Sequence, residues 1–485
     1  MAKLLRSPWK PAVSSKWLRK MSSIFVKQFN LLVIAMLFAS GATAALGQTG
    51  PSTQPKPLLQ DIKVVTPDSG ESDDDPLVKK TSSSSPAGVR PISRDPVLAD
   101  VVIPGYTGIL IQTLEGETIV ESSSSSAFNP ASNVKLATAY AVLKTFGPDY
   151  RFPTNVWTEG TIDKATGTLY GNIYVSGRDP IFGYEHAMSI ANELNRLGIR
   201  NVNGDLIVTD NFAMNYSSSP SYAGKTLLNT LNSSKRPASA TKVWLTYLAN
   251  AGKSGQVVTI PGVEFTGAVY TQPIPSNLKL LFTHESAPMK EIIKATLCYS
   301  NNFMAERLGD MLGGPSAVAR VVQLNTGVSP AEFYLQTSSG LGLNRVTPNS
   351  MMKLLRALRG ELGRYKMTFA DIMPVAGVDK GTLENRFDSD FSQGSVVGKT
   401  GTLGNTDGGV SSLAGEISTR NGRLLFVVFN TRGSVARFRT FQNYFISLVQ
   451  AQFGGASPMK YNPISLDVRL ARSRITNASN QIASN

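Results

Sequence analysis

A chain of 485 residues, 41% hydrophobic and 17% charged, is long enough for two or three domains and has the balance of a globular protein, which excludes a disordered one. Its net charge of +14 is uneven: seven Lys and Arg stand in the first 47 residues with no acid among them, so half of the excess belongs to a leader. The basic remainder suits anionic partners such as cell-wall polymer or a membrane surface. No helix-turn-helix, zinc-finger or RNP pattern is present, so no nucleic acid is expected as a partner.

Residues 1–44 have the parts of a secretory signal peptide: a basic start, the apolar run LLVIAMLFAS at 31–40 and the small residues ATA at 42–44. The expected location is therefore the periplasm or cell envelope. The basic start is long, so an uncleaved N-terminal anchor, with peripheral membrane association, is the alternative. No later stretch has the roughly 18 consecutive apolar residues that span a bilayer. Residues 45–96, rich in Ser, Pro, Asp and Lys, read as a disordered tether with too little apolar content to fold. The segment TGILIQTLEGETIVESSS then alternates about a Gly-bearing turn, which predicts a β-hairpin. A helix carrying PASNVKLATAY follows. Short strand patterns such as GTLYGNIYVSG and VNGDLIVTD predominate over 147–286. Next come two helices flanking a polar break at YSNN, three successive antiparallel strands (SVVGKTGTL, GGVSSLAGEIS, RLLFVVFNTR) and the amphipathic helix VARFRTFQNYFISLVQAQF. These patterns predict an α+β protein. An antiparallel sheet flanked by helices is assembled from 97–146 and 287–455, with a mostly β inserted domain over 147–286 and a polar C-terminal tail over 456–485. The single cysteine, Cys298, excludes an internal disulfide and a cysteine-based metal site.

Within the first helix, Ser132 and Lys135 stand three residues apart among Val134, Leu136, Ala137 and Ala139. Positions i and i+3 share a helix face, so the amine can approach the hydroxyl. A serine at a helix start also sits where the dipole favours an alkoxide. Ser-x-x-Lys is a weak signal alone, occurring at least six times in this chain, and its plain structural reading is a capping serine with a surface lysine. Two further motifs single out this copy. Ser300 and Asn302 form Ser-x-Asn in the YSNN break, and Lys399, Thr400 and Gly401 form Lys-Thr-Gly on a strand. The order Ser-x-x-Lys, Ser-x-Asn, Lys-Thr-Gly is that of active-serine enzymes. The KSG at 253–255 precedes Ser300 and stands in the wrong order. Only His186 and His284 exist, neither near a nucleophile motif, so a Ser-His-Asp triad is not expected. A free lysine, with a pKa of about 10.4, is no base near neutrality. Burial beside a second cation such as Lys399 would lower that value and free the lone pair.

These motifs, with the longer runs PASNVKLATAYAVLKTFGPDYRF, NGDLIVTDNF, YSNNFMAE and MPVAGVDKGTLENRF, resemble one family over about residues 100–452. It is the penicillin-binding protein 4 type of D-alanyl-D-alanine carboxypeptidase/endopeptidase, the class C low-molecular-mass penicillin-binding proteins. The resemblance implies a penicillin-binding transpeptidase/serine β-lactamase-like fold with an insertion between the first two motifs. It also implies acyl transfer on peptidoglycan stem peptides, with β-lactam antibiotics as inhibitors and no cofactor or metal. In that scheme Ser132 is the nucleophile, Lys135 its base and Ser300, supported by Asn302, the proton relay. Lys399 and Thr400 hold the substrate carboxylate, and the backbone N–H groups of Ser132 and Thr402 form the oxyanion hole. Asp210, at a strand end in VTDNF, is a candidate to face a cationic side chain of the peptide; a turn-capping role is its plainer reading.

Two departures stand out. The separation of 168 positions from Ser132 to Ser300 is tens shorter than is usual in the family, which implies a reduced or absent subdomain. The family's Asp-Gly-Ser-Gly-Leu-Ser is replaced here by TSSGLG, with Thr337, Ser338 and Gly342 as the differing residues. The alternatives are a serine β-lactamase-like hydrolase and a catalytically weak cell-wall binding protein.

Overall fold

In this computed structural model residues 90–256 and 259–477 are described. The signal-peptide and anchor readings, and the tether up to residue 89, lie outside them. Order begins before residue 97, because Ile92–Ser93 pairs antiparallel with Glu121 and Val120 and Asp95 caps a short helix, Pro96–Ala99.

The central sheet has six strands, each antiparallel to its neighbour. Their order is Ile92–Ser93, Thr118–Ser122, Tyr106–Thr113, Gly422–Thr431, Val410–Thr419, Val396–Leu403. The N-terminal hairpin is thus completed by the three C-terminal strands, as the sequence patterns predict. Successive side chains on a strand point to opposite faces. In Gly422–Thr431, Leu425, Val427 and Phe429 enter one core while Leu424, Phe426 and Val428 enter the other. Burial on both sides is why this strand reads as an unbroken apolar run. The first core is shared with helices Val134–Phe146, Met289–Tyr299 and Pro348–Arg364. The second is closed by helix Val435–Gln452 through Phe441, Phe445, Ile446 and Val449.

Strands Pro153–Thr158, Ile173–Gly177, Leu206–Val208, Val269–Thr271 and Lys279–Glu285 build a second sheet with its own core. The segment expected to be mostly β also contains three helices, Tyr184–Arg196, Pro220–Leu231 and Ala238–Asn250, and some of its strand pairs are parallel. The 456–485 tail is only polar on average. Arg474–Asn477 adds an edge strand to Lys279–Glu285. Buried Glu291 accepts hydrogen bonds from Arg469 at 2.8 Å and Arg472 at 2.7 Å. Two charges meeting a buried carboxylate hold in place a segment that apolar content alone would leave loose.

A second buried ion pair supports the site. Lys294 donates to Asp379 at 2.6 Å and to the carbonyls of Ala370 and Met373. Asp379 opens the segment whose Thr382 N–H donates to the carbonyl of Cys298, two residues before Ser300. Replacing Lys294 by Met leaves Asp379 buried without its cation. We expect a loss of about 3–5 kcal/mol of unfolding free energy, read as a lower urea midpoint. The double variant Lys294→Met/Asp379→Leu should recover part of it.

Candidate active site

Ser132 lies in the tight turn Ala131–Asn133 that opens helix Val134–Phe146. Ala131 is held at φ +47°, a left-handed conformation that costs a non-glycine residue about 1–3 kcal/mol. The surroundings enforce it. Ala131 N–H donates to Asn129 Oδ1 at 3.1 Å, and Ser412 Oγ donates to the Pro130 carbonyl at 2.6 Å. Gly401 approaches so closely that a Cβ there would collide with Ser412 and the Pro130 carbonyl, and one on Gly340 would strike the Ala131 carbonyl. Ser300 is likewise left-handed, at φ +55°, as the cap of helix Met289–Tyr299. Asn301 then caps helix Asn302–Asp310 by accepting from Met304 N–H, which sets Asn302 at that helix's first position.

Lys135 is 1% exposed. Its Nζ lies 3.1 Å from Ser132 Oγ, 2.7 Å from Asn302 Oδ1 and 2.6 Å from the Ser339 carbonyl. Burial lowers its pKa to about 7, opposed by the Glu306 carboxylate, which pulls it upward. A neutral amine has two N–H bonds and one lone pair. The two amide oxygens accept only, so they take the N–H bonds, and the lone pair is left for the hydroxyl of Ser132. Lys399 is fully buried, with Nζ 2.9 Å from Ser300 Oγ and 2.7 Å from the Thr400 carbonyl. Burial, and then the nearby Lys135, hold its pKa well below the ordinary value. Burial, one of the two causes expected from the sequence, is thus what lowers the Lys135 pKa; the other, the charge of Lys399, is not among its causes.

The Lys399 strand is the edge of the central sheet. On its outer side Gly398 N–H donates to the Pro374 carbonyl. Backbone polar groups alternate sides with period two, so the N–H of Thr402 also points outward, away from strand Val410–Thr419. The cleft along this edge has a volume of about 670 Å³. Ser132, Ser300, Asn302, Thr400 and Thr402 line it; Lys399 does not. Like Lys135 behind Ser132, Lys399 stands one contact behind the cleft, its amine 2.9 Å from Ser300 Oγ. Gly401 is buried behind the cleft, against the serine turn. Asp210 is not brought to the site. It is exposed in a turn, and only its neighbour Asn211 meets the helix of Asn302, through its carbonyl and Arg307. Among the described residues no cluster of metal-ligating side chains occurs.

The profile of the D-Ala-D-Ala carboxypeptidase 3 (S13) family matches residues 95–260 and 249–444. The chain belongs to this family. It is a serine-type D-Ala-D-Ala carboxypeptidase by descent, and its fold is that of the penicillin-binding protein 4 group. A D-alanyl-D-alanine carboxypeptidase of Actinomadura sp. (strain R39) is 25% identical over 438 residues, covering 69% of this chain and 80% of the relative. A predatory endopeptidase of Bdellovibrio bacteriovorus, solved acylated by penicillin G and in complex with an immunity protein, superposes with a TM-score of 0.65 at 22% identity. That match covers 77% of this chain and all of the other. Penicillin-binding protein 4 of Haemophilus influenzae, solved with a β-lactam, gives a TM-score of 0.54 at 20% identity, covering 72% of this chain and 97% of that one.

Two contributors carry no motif of their own. Ser339 offers only its carbonyl, which any residue could supply. Glu306 accepts from the N–H groups of Ser338 and Ser339 at 3.1 and 3.0 Å, and so fixes the altered TSSGLG segment under Lys135. Its position in YSNNFMAE, one helical turn beyond Asn302, was the available signal. Replacing Glu306 by Gln removes the charge that raises the Lys135 pKa. The Lys135 amine, followed by NMR of labelled lysine, should titrate near 7 in the parent and at lower pH in Glu306→Gln. An unmoved midpoint would show that the two groups are not coupled.

Proposed function

We propose that this S13-family chain removes the terminal D-Ala from peptidoglycan stem peptides through an acyl-enzyme on Ser132, and that β-lactams acylate the same oxygen. The observation that carries the reading is the buried Lys135 Nζ placed 3.1 Å from Ser132 Oγ with its two other contacts to acceptor oxygens. Ser132 Oγ attacks the carbonyl of the penultimate D-Ala while its proton passes to Lys135. The N–H groups of Ser132 and Thr402 receive the developing oxyanion; the outward direction of the Thr402 N–H supports that role. The proton then returns through Ser300, backed by Lys399, to the leaving amine as the C–N bond breaks. Water, activated by the same lysine, attacks the ester and frees Ser132. A β-lactam acylates in the same way, but its amine remains tethered to the acyl group and blocks the water.

The cleft continues past the motifs to Asn385 and Asn443, with room for a leaving group larger than one amino acid. That supports cross-link endopeptidase activity as a second reading. The family and the predicted leader together support work outside the cytoplasm, in the cell envelope; among the described residues no helix is long and apolar enough to cross a membrane.

Incubation with a fluorescent penicillin, together with D-Ala release from an acetylated D-Ala-D-Ala peptide, tests the reading. We expect a stable adduct on Ser132, release of D-Ala, and loss of both in Ser132→Ala with the unfolding transition retained. Lys135→Arg keeps the charge but cannot deprotonate, so acylation should fall by about 10²–10⁴-fold. Rapid turnover of the penicillin would indicate a β-lactamase. No labelling of the parent would indicate a binding protein, and labelling of Ser132→Ala would displace the nucleophile.

A further inference from the structure

Three segments build the site: the turn before Ser132, the TSSGLG segment whose Ser339 carbonyl meets Lys135, and the edge strand that carries Thr402. One carboxylate outside all three motifs ties them together. Asp407 lies in the loop between edge strand Val396–Leu403 and strand Val410–Thr419, at φ +52°. Its Oδ1 accepts from Arg345 Nη2 at 2.9 Å, and its Oδ2 from Arg345 Nη1 and Asn129 Nδ2, each at 3.0 Å. Arg345 stands just past the TSSGLG segment and is itself steadied by donating to the Asn344 carbonyl at 2.8 Å. Thr431 Oγ1 donates to the Asp407 carbonyl at 2.9 Å, which ties the loop to the next strand but one.

Asn129 is the link to the nucleophile. It is buried, and the two ends of its amide meet opposite demands. Nδ2 donates to the Gly342 carbonyl at 2.9 Å as well as to Asp407, while Oδ1 accepts from the Ala131 N–H at 3.1 Å. An ionised carboxylate only accepts, so it admits the NH2 end of Asn129 and not the oxygen. With that end committed, Oδ1 faces Ala131. The peptide joining Pro130 to Ala131 is then held at both ends, its N–H by Asn129 and its carbonyl by Ser412. It leads directly into the left-handed Ala131, whose torsions set the direction of the next N–H, that of Ser132.

We infer that Asp407 is a positioning residue, which through Asn129 keeps the Ala131 turn left-handed and aims the Ser132 N–H at the developing oxyanion. The inference rests on the acyl-transfer reading above and goes beyond it, giving one of the two oxyanion donors a support remote from the chemistry. Arg345 grips the carboxylate through both oxygens and so fixes where the second one meets Asn129. Asparagine at 407 would keep the shape and tolerate the left-handed backbone. Its amide would nevertheless set an NH2 group against Arg345 or Asn129, donor against donor. The relief is a flip of Asn129, which points an NH2 group at the Ala131 N–H and releases the turn.

The full chain carrying Asp407→Asn should be mixed with a β-lactam in single-turnover acylation over a range of concentrations. We expect the maximal rate to fall by about 10–100-fold, since a misplacement of about 1 Å can cost about 10²-fold. The dissociation constant of the initial complex should not change. The pH midpoint of the rate should stay at about 7, because Lys135 keeps its burial. Hydrogen bonds in the oxyanion hole lower the stretching frequency of the acyl-enzyme ester carbonyl, so in Asp407→Asn that infrared band should rise and broaden. Arg345→Lys keeps one donor on the carboxylate and should show smaller changes in the same direction. Asp407 sits in a part-exposed turn, and matching unfolding midpoints check that the fold survives. An Asp407→Asn variant that acylates at the parental rate overturns the inference and leaves the acyl-transfer reading standing. So does a slowed variant whose ester band is unmoved, whose loss lies in binding, or whose pH midpoint has shifted. Should Asp407→Asn not fold, an unmoved band in Arg345→Lys overturns it and a raised one upholds it. A parent that forms no acyl-enzyme removes both readings.

Discussion

Everything in this site depends on a lysine kept dry. An amine in water near neutrality is an ammonium and cannot take a proton from serine. Lys135 escapes that fate because the packed core of helices Val134–Phe146 and Met289–Tyr299 excludes solvent from it. Its two amide acceptors belong to different elements, Asn302 at a helix start and Ser339 in the TSSGLG segment. The direction of the lone pair is therefore a property of tertiary assembly, and both elements must dock before Ser132 faces a base.

The supports of this arrangement are costly groups held in place by packing. Ala131 and Ser300 sit in left-handed conformations. Glu306 uses its charge to tie down two backbone N–H groups beneath the lysine. The Lys294–Asp379 pair anchors the segment leading to Arg386. Strain of this kind concentrates at functional sites, where the surrounding fold over-determines it. The edge position of the Lys399 strand completes the site. Only an edge strand has a row of outward N–H groups, and only along an edge can one cleft see both faces of a sheet.

Much of this was legible in the sequence, and the reason is local. The hairpin, the three closing strands, the helix–break–helix around YSNN and the three motifs are each written in contiguous residues with a definite period. Ser132, Ser300, Asn302, Thr400 and Thr402 accordingly meet at one cleft, with Lys135 and Lys399 directly behind its serines. What was not legible depended on contacts between distant segments. The direction of Lys399 follows from strand parity relative to the sheet edge. The place of Glu306 beneath Lys135 follows from the TSSGLG loop it faces. The helices of the 147–286 segment were obscured by the short apolar strands around them, and the docking of the tail depends on Glu291, 178 positions away from Arg469. Asp210 was judged by position in a motif alone, and the fold leaves it exposed outside the cleft.

The most direct measurement is the single-turnover acylation rate of the parent chain as a function of pH, with a substrate or β-lactam that does not titrate in the range used. A lysine that must be neutral to act, with its pKa lowered to about 7, gives a rate that rises with pH through one proton loss near 7 and then levels. A rate still climbing toward about pH 10, where an ordinary exposed lysine titrates, would contradict the buried base. So would a rate that falls as pH rises through 7.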